Sequence, residues 1–279
     1  MGSCLDKLQI NETDPDTRSI IPITGTSSLH ALFKSTWQVN FLAPVHELLE
    51  SGNARVLEYG CQTGEWVLDI SDNYPLAKVW GIDTSNNFPS SPIPLNSNFL
   101  ICDILNVNGL PFADNTFDLV HTRCLAFTFT EIEWEQRVIK ELSRVLKPGT
   151  GWLSLLEISL FYTNEGPNTA KLTESMRSFL KEKNVNPDIT SLQLKLLHES
   201  NHFADIQVHE RFPATEINID IDDIIAKEFA LTIHSLGAEL SNFMGLDNEE
   251  YNSLIESSVK EFNIYKTSVK QTKIIARRI

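Results

Sequence analysis

The stretch that decides the fold is Val56-Leu57-Glu58-Tyr59-Gly60-Cys61-Gln62-Thr63-Gly64-Glu65-Trp66. Its apolar start predicts a buried strand, and its last residues open a helix. Between them, Gly60 and Gly64 leave room for backbone amides to approach a ligand closely. A glycine-rich turn is also common as a plain strand-to-helix connection, so neighbouring segments must decide between the two interpretations.

Short apolar runs alternate with helical segments on both sides of this turn. Strands are predicted at 55–59, 77–82, 98–102, 117–121, 151–156, 204–209 and 267–277. Helices are predicted at 27–50, in two short pieces, and at 169–183, 191–200, 221–240 and 248–262. This alternation predicts an α/β fold built on a parallel, doubly wound sheet of seven strands, the last two forming a hairpin partner and an edge. Three prolines in 88–94 make that crossover an irregular loop.

Carboxylates follow three successive predicted strands. Glu58 ends the first, Asp83 ends the second and Asp103 follows the third. An acid in the place of Asp83 can bind both ribose hydroxyls of an adenosine-containing ligand, and Asp103 can accept a proton from an adenine amino group. Each acid alone is more often a loop cap, but three at one sheet edge favour a nucleoside site.

At this point the sequence resembles the class I S-adenosylmethionine-dependent methyltransferases over residues 26–279. The matching motifs are Val56–Trp66, Trp80–Asp83, Phe99–Asp103, Leu110–Asp118 followed by Leu119–Arg123, and Glu141–Gly149. Val120-His121-Thr122-Arg123 and Ala43-Pro44-Val45-His46 are most similar to fungal methyltransferase-domain proteins related to regulators of secondary metabolism.

The resemblance implies a Rossmann-like, mostly parallel sheet of order 3-2-1-4-5-7-6 with an antiparallel last strand, a helical N-terminal lead-in and a helical cap. Residues 1–25 are expected to form a flexible tail, and 26–50 and 160–200 to supply the cap. The implied cofactor is S-adenosyl-L-methionine, with Glu58 at its methionine end and Asp83 at its ribose. The implied cofactor-binding residues are Glu58, Gly60, Cys61, Gln62, Gly64, Asp83, Thr84, Cys102, Asp103 and Ile104.

Two positions depart from the family pattern. Gln62 stands where the middle glycine is usual, and Thr150 splits the usual double glycine after Pro148. The Gln62 side chain either weakens cofactor binding or adds a hydrogen bond through its amide. Because Gln62 is polar and flexible and the acids are intact, we expect binding to be retained.

Methyl transfer from a sulfonium is an in-line displacement that depends mainly on positioning and exclusion of water. His121, at the predicted end of the fourth strand, is the candidate base, and the alternative is a structural histidine that shapes the pocket. Trp37, Phe41 and Phe127 are candidate substrate walls, although such aromatics are often plain core. Arg123 either anchors an acidic group or pairs with a carboxylate of the chain.

A metal site is not expected. His198-Glu199-Ser200-Asn201-His202 matches a zinc-protease pattern, but that pattern needs one continuous helix, and Asn201 favours a helix end before the strand that follows. The cysteines have no metal-like spacing and are expected to be reduced thiols.

Charge limits the range of partners. The 279 residues carry 23 Lys and Arg against 37 Asp and Glu, a net charge of −14, which argues against nucleic acid or an anionic membrane. The sequence shows no apolar run long enough for a membrane span and no secretory signal, so we expect a cytoplasmic protein, with the nucleus as the alternative. A protein partner or a homodimer stays open.

The leading hypothesis is methyl transfer to a small or medium organic acceptor. The alternative is a cofactor-binding regulatory subunit with weak catalysis, suggested by Gln62 and the absence of a clear base. A nicotinamide dehydrogenase is disfavoured because Gly60 and Gly64 do not form the dinucleotide glycine pattern and Trp66 is too large for close helix–strand contact.

Overall fold

The computed structural model describes residues 27–213 and 221–279, so the tail predicted for 1–25 lies outside the described residues. The core is a seven-stranded sheet in the order β3-β2-β1-β4-β5-β7-β6, as the family resemblance implied. The strands are β1 (Arg55–Tyr59), β2 (Lys78–Asp83), β3 (Ser97–Ile101), β4 (Leu119–Arg123), β5 (Trp152–Thr163), β6 (Phe203–Arg211) and β7 (Ser268–Arg278).

Strands β1 to β5 pair in parallel, so their carboxyl ends share one edge. Strand β7 is antiparallel to both β5 and β6, which confirms the expected direction of the last strand and leaves β6 at the edge. In the register of the sheet, Glu58 lies opposite Gly81 on one side and His121 on the other. The acid at the end of β1 is therefore flanked by both neighbouring strands.

Most strand boundaries differ from the prediction by one or two residues, and that of β5 differs by more. Strand β4 begins at Leu119, because Phe117 makes only an isolated bridge with Leu146, and it runs to Arg123. Strand β5 continues to Thr163, beyond the apolar run that ends at Leu156, because its second half pairs with β7 across a register shift between Ile158 and Tyr162. That extension depends on a strand more than one hundred residues away, so no local apolar run indicates it.

The helices surround the sheet close to the predicted positions. They are α1 (Ser27–Trp37), α2 (His46–Glu50), α3 (Glu65–Asn73), α4 (Glu131–Glu133), α5 (Ile139–Val145), α6 (Pro167–Glu182), α7 (Ile189–Glu199), α8 (Ile221–Met244) and α9 (Asn248–Tyr265). A π-helical turn, Trp134–Val138, joins α4 to α5, and α8 bends at Gly237. Residues 84–96 form no helix, as the prolines predicted.

Local side-chain chemistry sets several helix ends. Asp247 caps α9 by accepting hydrogen bonds from the Glu249 and Glu250 amides, both at 2.9 Å. Helix α7 stops at Glu199, and Asn201 takes a left-handed φ of 54° before β6 begins. His198 and His202 therefore do not share a helix face, as the sequence analysis expected.

Two apolar clusters cover the two faces of the sheet. The smaller one packs Trp66 and Ile70 of α3 against Val56, Val79 and other side chains of β1, β2 and β4. The larger one joins the opposite face to helices α5 to α9 and also takes in the apolar side of α1. Helix α1 thus belongs to the folded core and lies over the carboxyl edge of the sheet.

Within the described ranges, no helix is long and apolar enough to cross a membrane. A search of the same residues for three or more His, Cys, Asp or Glu side chains arranged around one metal ion finds no such group.

Leu153→Ala tests the core. Leu153 is fully buried in the central strand β5, so its truncation should lower the free energy of unfolding by about 3 kcal/mol. Leu95→Ala is the matched control, because Leu95 is fully exposed in the loop before β3, and its effect should stay within about 0.5 kcal/mol. Urea denaturation of both variants checks this, and equal losses would contradict the assigned packing.

Candidate active site

The turn after β1 is held in a shape that only glycine allows at two positions. Gly60 and Gly64 have φ values of 73° and 79°. A Cβ at Gly60 would lie 2.8 Å from Leu125 Cδ2, and one at Gly64 would lie 2.6 Å from Phe99 Cε1. The amides of Gly60 and Cys61 donate to Ile82 O at 2.8 and 3.0 Å, which ties the turn to β2.

Gln62 takes the left-handed conformation that the usual glycine would adopt without strain, with φ of 51°. Its amide donates to Asp83 Oδ2 at 2.9 Å, and this bond offsets part of the backbone cost. The departure from the family pattern therefore leaves the turn intact.

Asp83 is fixed at the edge where the sequence analysis placed it. Its Oδ1 accepts hydrogen bonds from the Ser85 amide at 3.0 Å and the Ser85 hydroxyl at 2.8 Å. A carboxylate oxygen has about two lone pairs, so Oδ2 retains capacity for one ligand hydroxyl, and a second ligand hydroxyl would have to replace the Ser85 hydroxyl at Oδ1. Thr84, which lies between Asp83 and Ser85 in the sequence, is exposed.

The end of β3 carries the remaining predicted cofactor residues. Asp103 Oδ1 accepts from the Leu105 amide at 2.8 Å, and the Ile104 amide donates to the Tyr59 hydroxyl at 3.2 Å. Cys102 is half-buried, and burial raises the pKa of its thiol to about 11, so it stays protonated. The carboxylate of Asp103 is thus held beside a backbone donor on the same strand end.

Glu58 is fully buried and forms an ion pair with Arg123, whose Nε donates to Oε1 at 2.7 Å. Oε2 has no hydrogen-bond partner among the described residues. Burial raises the pKa of the Glu58 carboxyl to about 7, against the lowering effect of the Arg123 cation. One oxygen of this acid is therefore available to a donor that enters the site.

Helix α1 is tied to this ion pair. Arg123 Nη1 lies 3.1 Å from His30 Nδ1, and His30 Nε2 lies 3.6 Å from Asp69 of α3. Asp69 also accepts hydrogen bonds from Lys34 and Asn40. Burial alone would raise the pKa of Asp69, but these contacts hold it well below its usual range. This series of side-chain contacts from Glu58 to Asp69 thus holds α1 over the glycine turn.

Two adjacent cavities open at this edge. The first, the cofactor cleft, has an empty volume of about 260 Å³, which includes space open to solvent, and is lined by Leu29, His30, Phe33, Gly60, Gln62, Glu65, Arg123 and Cys124. The second, the apolar pocket, has an empty volume of about 570 Å³, again including space open to solvent, and is lined by Leu29, Leu32, Cys124, Ala126, Phe127, Glu157, Ile158, Leu160, Tyr162, Ile225, Glu228, Phe229, Thr232 and Val269. Leu29 and Cys124 line both, so the cavities share a wall.

His121 is packed inside the fold. Its ring is fully buried, stacks on Trp66 with 4.3 Å between centroids, and has Nδ1 3.0 Å from both Ser154 O and Oγ. Burial holds the pKa of His121 well below its usual range, so the ring is neutral. The described walls of both cavities lack His121. This geometry fits the structural interpretation of His121, and its Nε2 has no hydrogen-bond partner among the described residues.

The three aromatic residues predicted to form substrate walls lie in different places. Phe127 lines the apolar pocket. Trp37 is buried with its indole N–H donating to Gln271 Oε1 at 2.8 Å, and Phe41 is buried against His46 and Tyr74. Trp37 and Phe41 are therefore core residues in the described structure, because α1 packs Trp37 toward β7 and the segment after α1 places Phe41 against His46 of α2.

The sequence analysis missed Glu157 and Glu228, the two acidic residues of the apolar pocket. Glu157 directly follows the apolar run 152–156, so it shows the strand-end signal that identified Glu58 and Asp83. Glu228 and Phe229 lie inside α8, where sequence alone gives no sign that this helix faces the site. Within the segments expected to form the cap, α1 supplies Leu29 and Leu32, and the end of β5 supplies Leu160 and Tyr162.

The glycine turn, the acids after β1 to β3 and the segment through α5 match one family model. Residues 56–149 match the model described as a methyltransferase domain. Over this third of its length the chain is similar to methyltransferase domains. This match and the strand order together confirm the resemblance stated from the motifs.

Relatives of this chain occur among curated proteins. The chain is 32% identical over 106 residues to the secondary metabolism regulator LAE1 of Cochliobolus heterostrophus, covering 38% of this chain and 33% of that protein. It is 25% identical to methyltransferase str3 of Strobilurus tenacellus, covering 56% and 55%. It is 36% identical to the ubiquinone/menaquinone biosynthesis C-methyltransferase UbiE of Syntrophotalea carbinolica, covering 42% and 49%. The matches span a third to about half of each relative's length.

Arg123→Leu tests the buried ion pair. Because the folded-state pKa of Glu58 lies above its ordinary value, ionising Glu58 costs stability as the pH rises from about 4.5 to about 7, and the loss levels off above that. Loss of the Arg123 cation should therefore cost about 3 kcal/mol at pH 8 and clearly less at pH 5, where Glu58 is protonated.

Urea denaturation at the two pH values measures this difference. Lys183→Leu is the control, since Lys183 pairs with Glu239 on the surface and should change stability by less than about 1 kcal/mol. A cost for Arg123→Leu that is the same at both pH values would contradict the coupling between Arg123 and Glu58.

Proposed function

We propose that the chain binds S-adenosyl-L-methionine in the cofactor cleft and transfers its methyl group to a small or medium organic acceptor. The observation that carries this proposal is the set of three acids, Glu58, Asp83 and Asp103, at the ends of adjacent strands around the glycine turn. A parallel sheet of this kind binds ligands at its carboxyl edge.

Each acid suits a different part of the cofactor. Asp83 would accept hydrogen bonds from the ribose hydroxyls, and Asp103 with the Ile104 amide would meet the adenine edge. The free oxygen of buried Glu58 would accept the methionine ammonium. Binding there would compete with Arg123 for Glu58, and the released guanidinium could pair with the methionine carboxylate.

Methyl transfer depends more on the positioning of the two reactants than on reactive side chains. The cofactor supplies a methyl group on a positively charged sulfur. Helix α1, held by the contacts of His30 and Asp69, would exclude water from the cleft, and Leu29 and Cys124 would separate the cofactor from the neighbouring apolar pocket. The apolar walls of that pocket support an organic acceptor of small or medium size.

The names of the relatives support two alternative functions, an enzyme and a regulatory subunit. Two of them are named methyltransferases and one is named a regulator of secondary metabolism. A cavity for an acceptor next to the cofactor cleft favours the enzyme. Tight cofactor binding without turnover on a broad set of metabolites would instead favour the regulatory subunit.

Titration calorimetry with S-adenosylmethionine and S-adenosylhomocysteine tests the cofactor site. We expect micromolar dissociation constants, about −8 kcal/mol. Asp83→Ala should weaken both by roughly 100-fold, because a charged acceptor for two hydroxyls is lost. Asp72→Ala, on the exposed side of α3, is the control and should bind as the native chain does.

Asp83→Asn accompanies the alanine variant because it keeps one oxygen, which can accept either from Gln62 or from Ser85. Melting temperatures of all variants show whether the turn is intact. Unchanged affinity in folded Asp83→Ala would overturn the assigned ribose contact.

A further inference from the structure

The apolar pocket has a distinct chemical character. Most of its described walls are aliphatic or aromatic, and the charged side chains among them are two carboxylates, Glu157 and Glu228. No Lys, Arg or His is among these described lining residues. An apolar cavity with a few placed polar groups is the usual form of a small-molecule site, and those groups select the ligand.

Glu157 lies within β5 and is held there by two hydrogen bonds. Its Oε1 accepts hydrogen bonds from the Leu125 amide at 3.1 Å and from Gln193 Nε2 at 3.0 Å. Its Oε2 is buried and has no well-formed hydrogen bond from the part of the chain that is described. A buried carboxylate oxygen without a donor is costly, so a ligand that supplies a donor would gain from meeting it.

Glu157 also lies near the boundary with the cofactor cleft. The residue it binds, Leu125, directly follows Cys124, which lines both cavities. Burial raises the pKa of the Cys124 thiol, and Glu157 is the charged group that raises it most. A group bound to Glu157 would therefore sit on the side of the pocket that faces the cleft.

We propose that Glu157 receives the proton of the methyl acceptor, and that the acceptor is an apolar molecule whose nucleophile is a hydroxyl or amine group. This inference rests on the proposed function, since it names the substrate class of the same site. Carboxylic and phosphoric acids are excluded as acceptors, because two carboxylates line the pocket and would repel them.

The step balances without a further reactant. The acceptor O–H or N–H bond gives its proton to Glu157 Oε2, and its electron pair attacks the methyl carbon. The carbon–sulfur bond breaks, S-adenosylhomocysteine leaves, and the methyl ether or methylamine remains. Glu157 then returns the proton to water when the pocket opens.

The protonation of Glu157 suits this task. Burial raises the pKa of its carboxyl to about 7, while Gln193 and the Leu125 and Ala126 amides lower it. A base with a pKa near the working pH combines a useful fraction of the anion with useful basicity. Activity should accordingly rise as the pH passes through about 7.

Glu157→Gln is the central variant, because it keeps the shape and one hydrogen-bonding oxygen but cannot take a proton. Glu210→Gln is the matched control, since Glu210 lies on the exposed edge strand β6 and pairs with Lys270. The probes share one bicyclic aromatic frame that carries a hydroxyl, an amine, a methoxy group or a carboxylate. Direct binding is measured by calorimetry, and transfer by the release of S-adenosylhomocysteine.

We expect the hydroxyl and amine probes to bind and to be methylated, and the methoxy and carboxylate probes to do neither. Glu157→Gln should lower kcat about 100-fold or more and remove the rise in rate near pH 7, with S-adenosylhomocysteine affinity within twofold of the native chain. Glu210→Gln should match the native chain in every measurement.

The calorimetric binding measurements distinguish failure of this inference from failure of the proposed function. Failure of S-adenosylmethionine to bind would overturn the proposed function. The probe titrations would still show whether the apolar pocket binds hydroxyl and amine compounds. Equal binding of all four probes, no binding of the hydroxyl and amine probes, or native kcat and pH profile in folded Glu157→Gln would each overturn the role of Glu157.

Discussion

The described structure depends on one constraint, the attachment of the turn after β1 to the end of β2. Two amides of the turn share Ile82 O, and a third binds the Asp83 carboxylate. These bonds fix three left-handed residues, Gly60, Gln62 and Gly64, and direct α3 back along the sheet. If the turn were free, the acids after β1 and β2 would lose their common edge, and no cleft would form between them and α1.

The same edge explains why buried charge is tolerated here. Glu58 and Glu157 both lie where burial raises the pKa of a carboxyl to about 7, and each has one oxygen without a well-formed hydrogen bond from the described residues. Poorly satisfied buried oxygens lower stability, so their presence in β1 and β5 fits a site that is completed by ligands. Arg123 offsets the charge of Glu58 in the closed arrangement and joins it to α1.

Much of the fold could be predicted from the sequence, because parallel strands buried on both faces leave continuous apolar runs and the turn residues mark their ends. The acids around the glycine turn followed from the same pattern at Glu58, Asp83 and Asp103. The apolar pocket could not be predicted in this way, since Phe229 and Glu228 come from α8, far along the chain. Trp37 and Phe41 fit an aromatic wall by their place in sequence, and only the packing of α1 and α2 shows that they are core.

The most direct test of the central claim is a crystal structure of the chain with S-adenosylhomocysteine. The account predicts the ribose hydroxyls within hydrogen-bond distance of Asp83, the methionine ammonium at Glu58 Oε2, and Arg123 moved from its present contact. A structure in which the ligand lies elsewhere, with Arg123 still on Glu58 and the space beside Gly60 filled by protein, would contradict it.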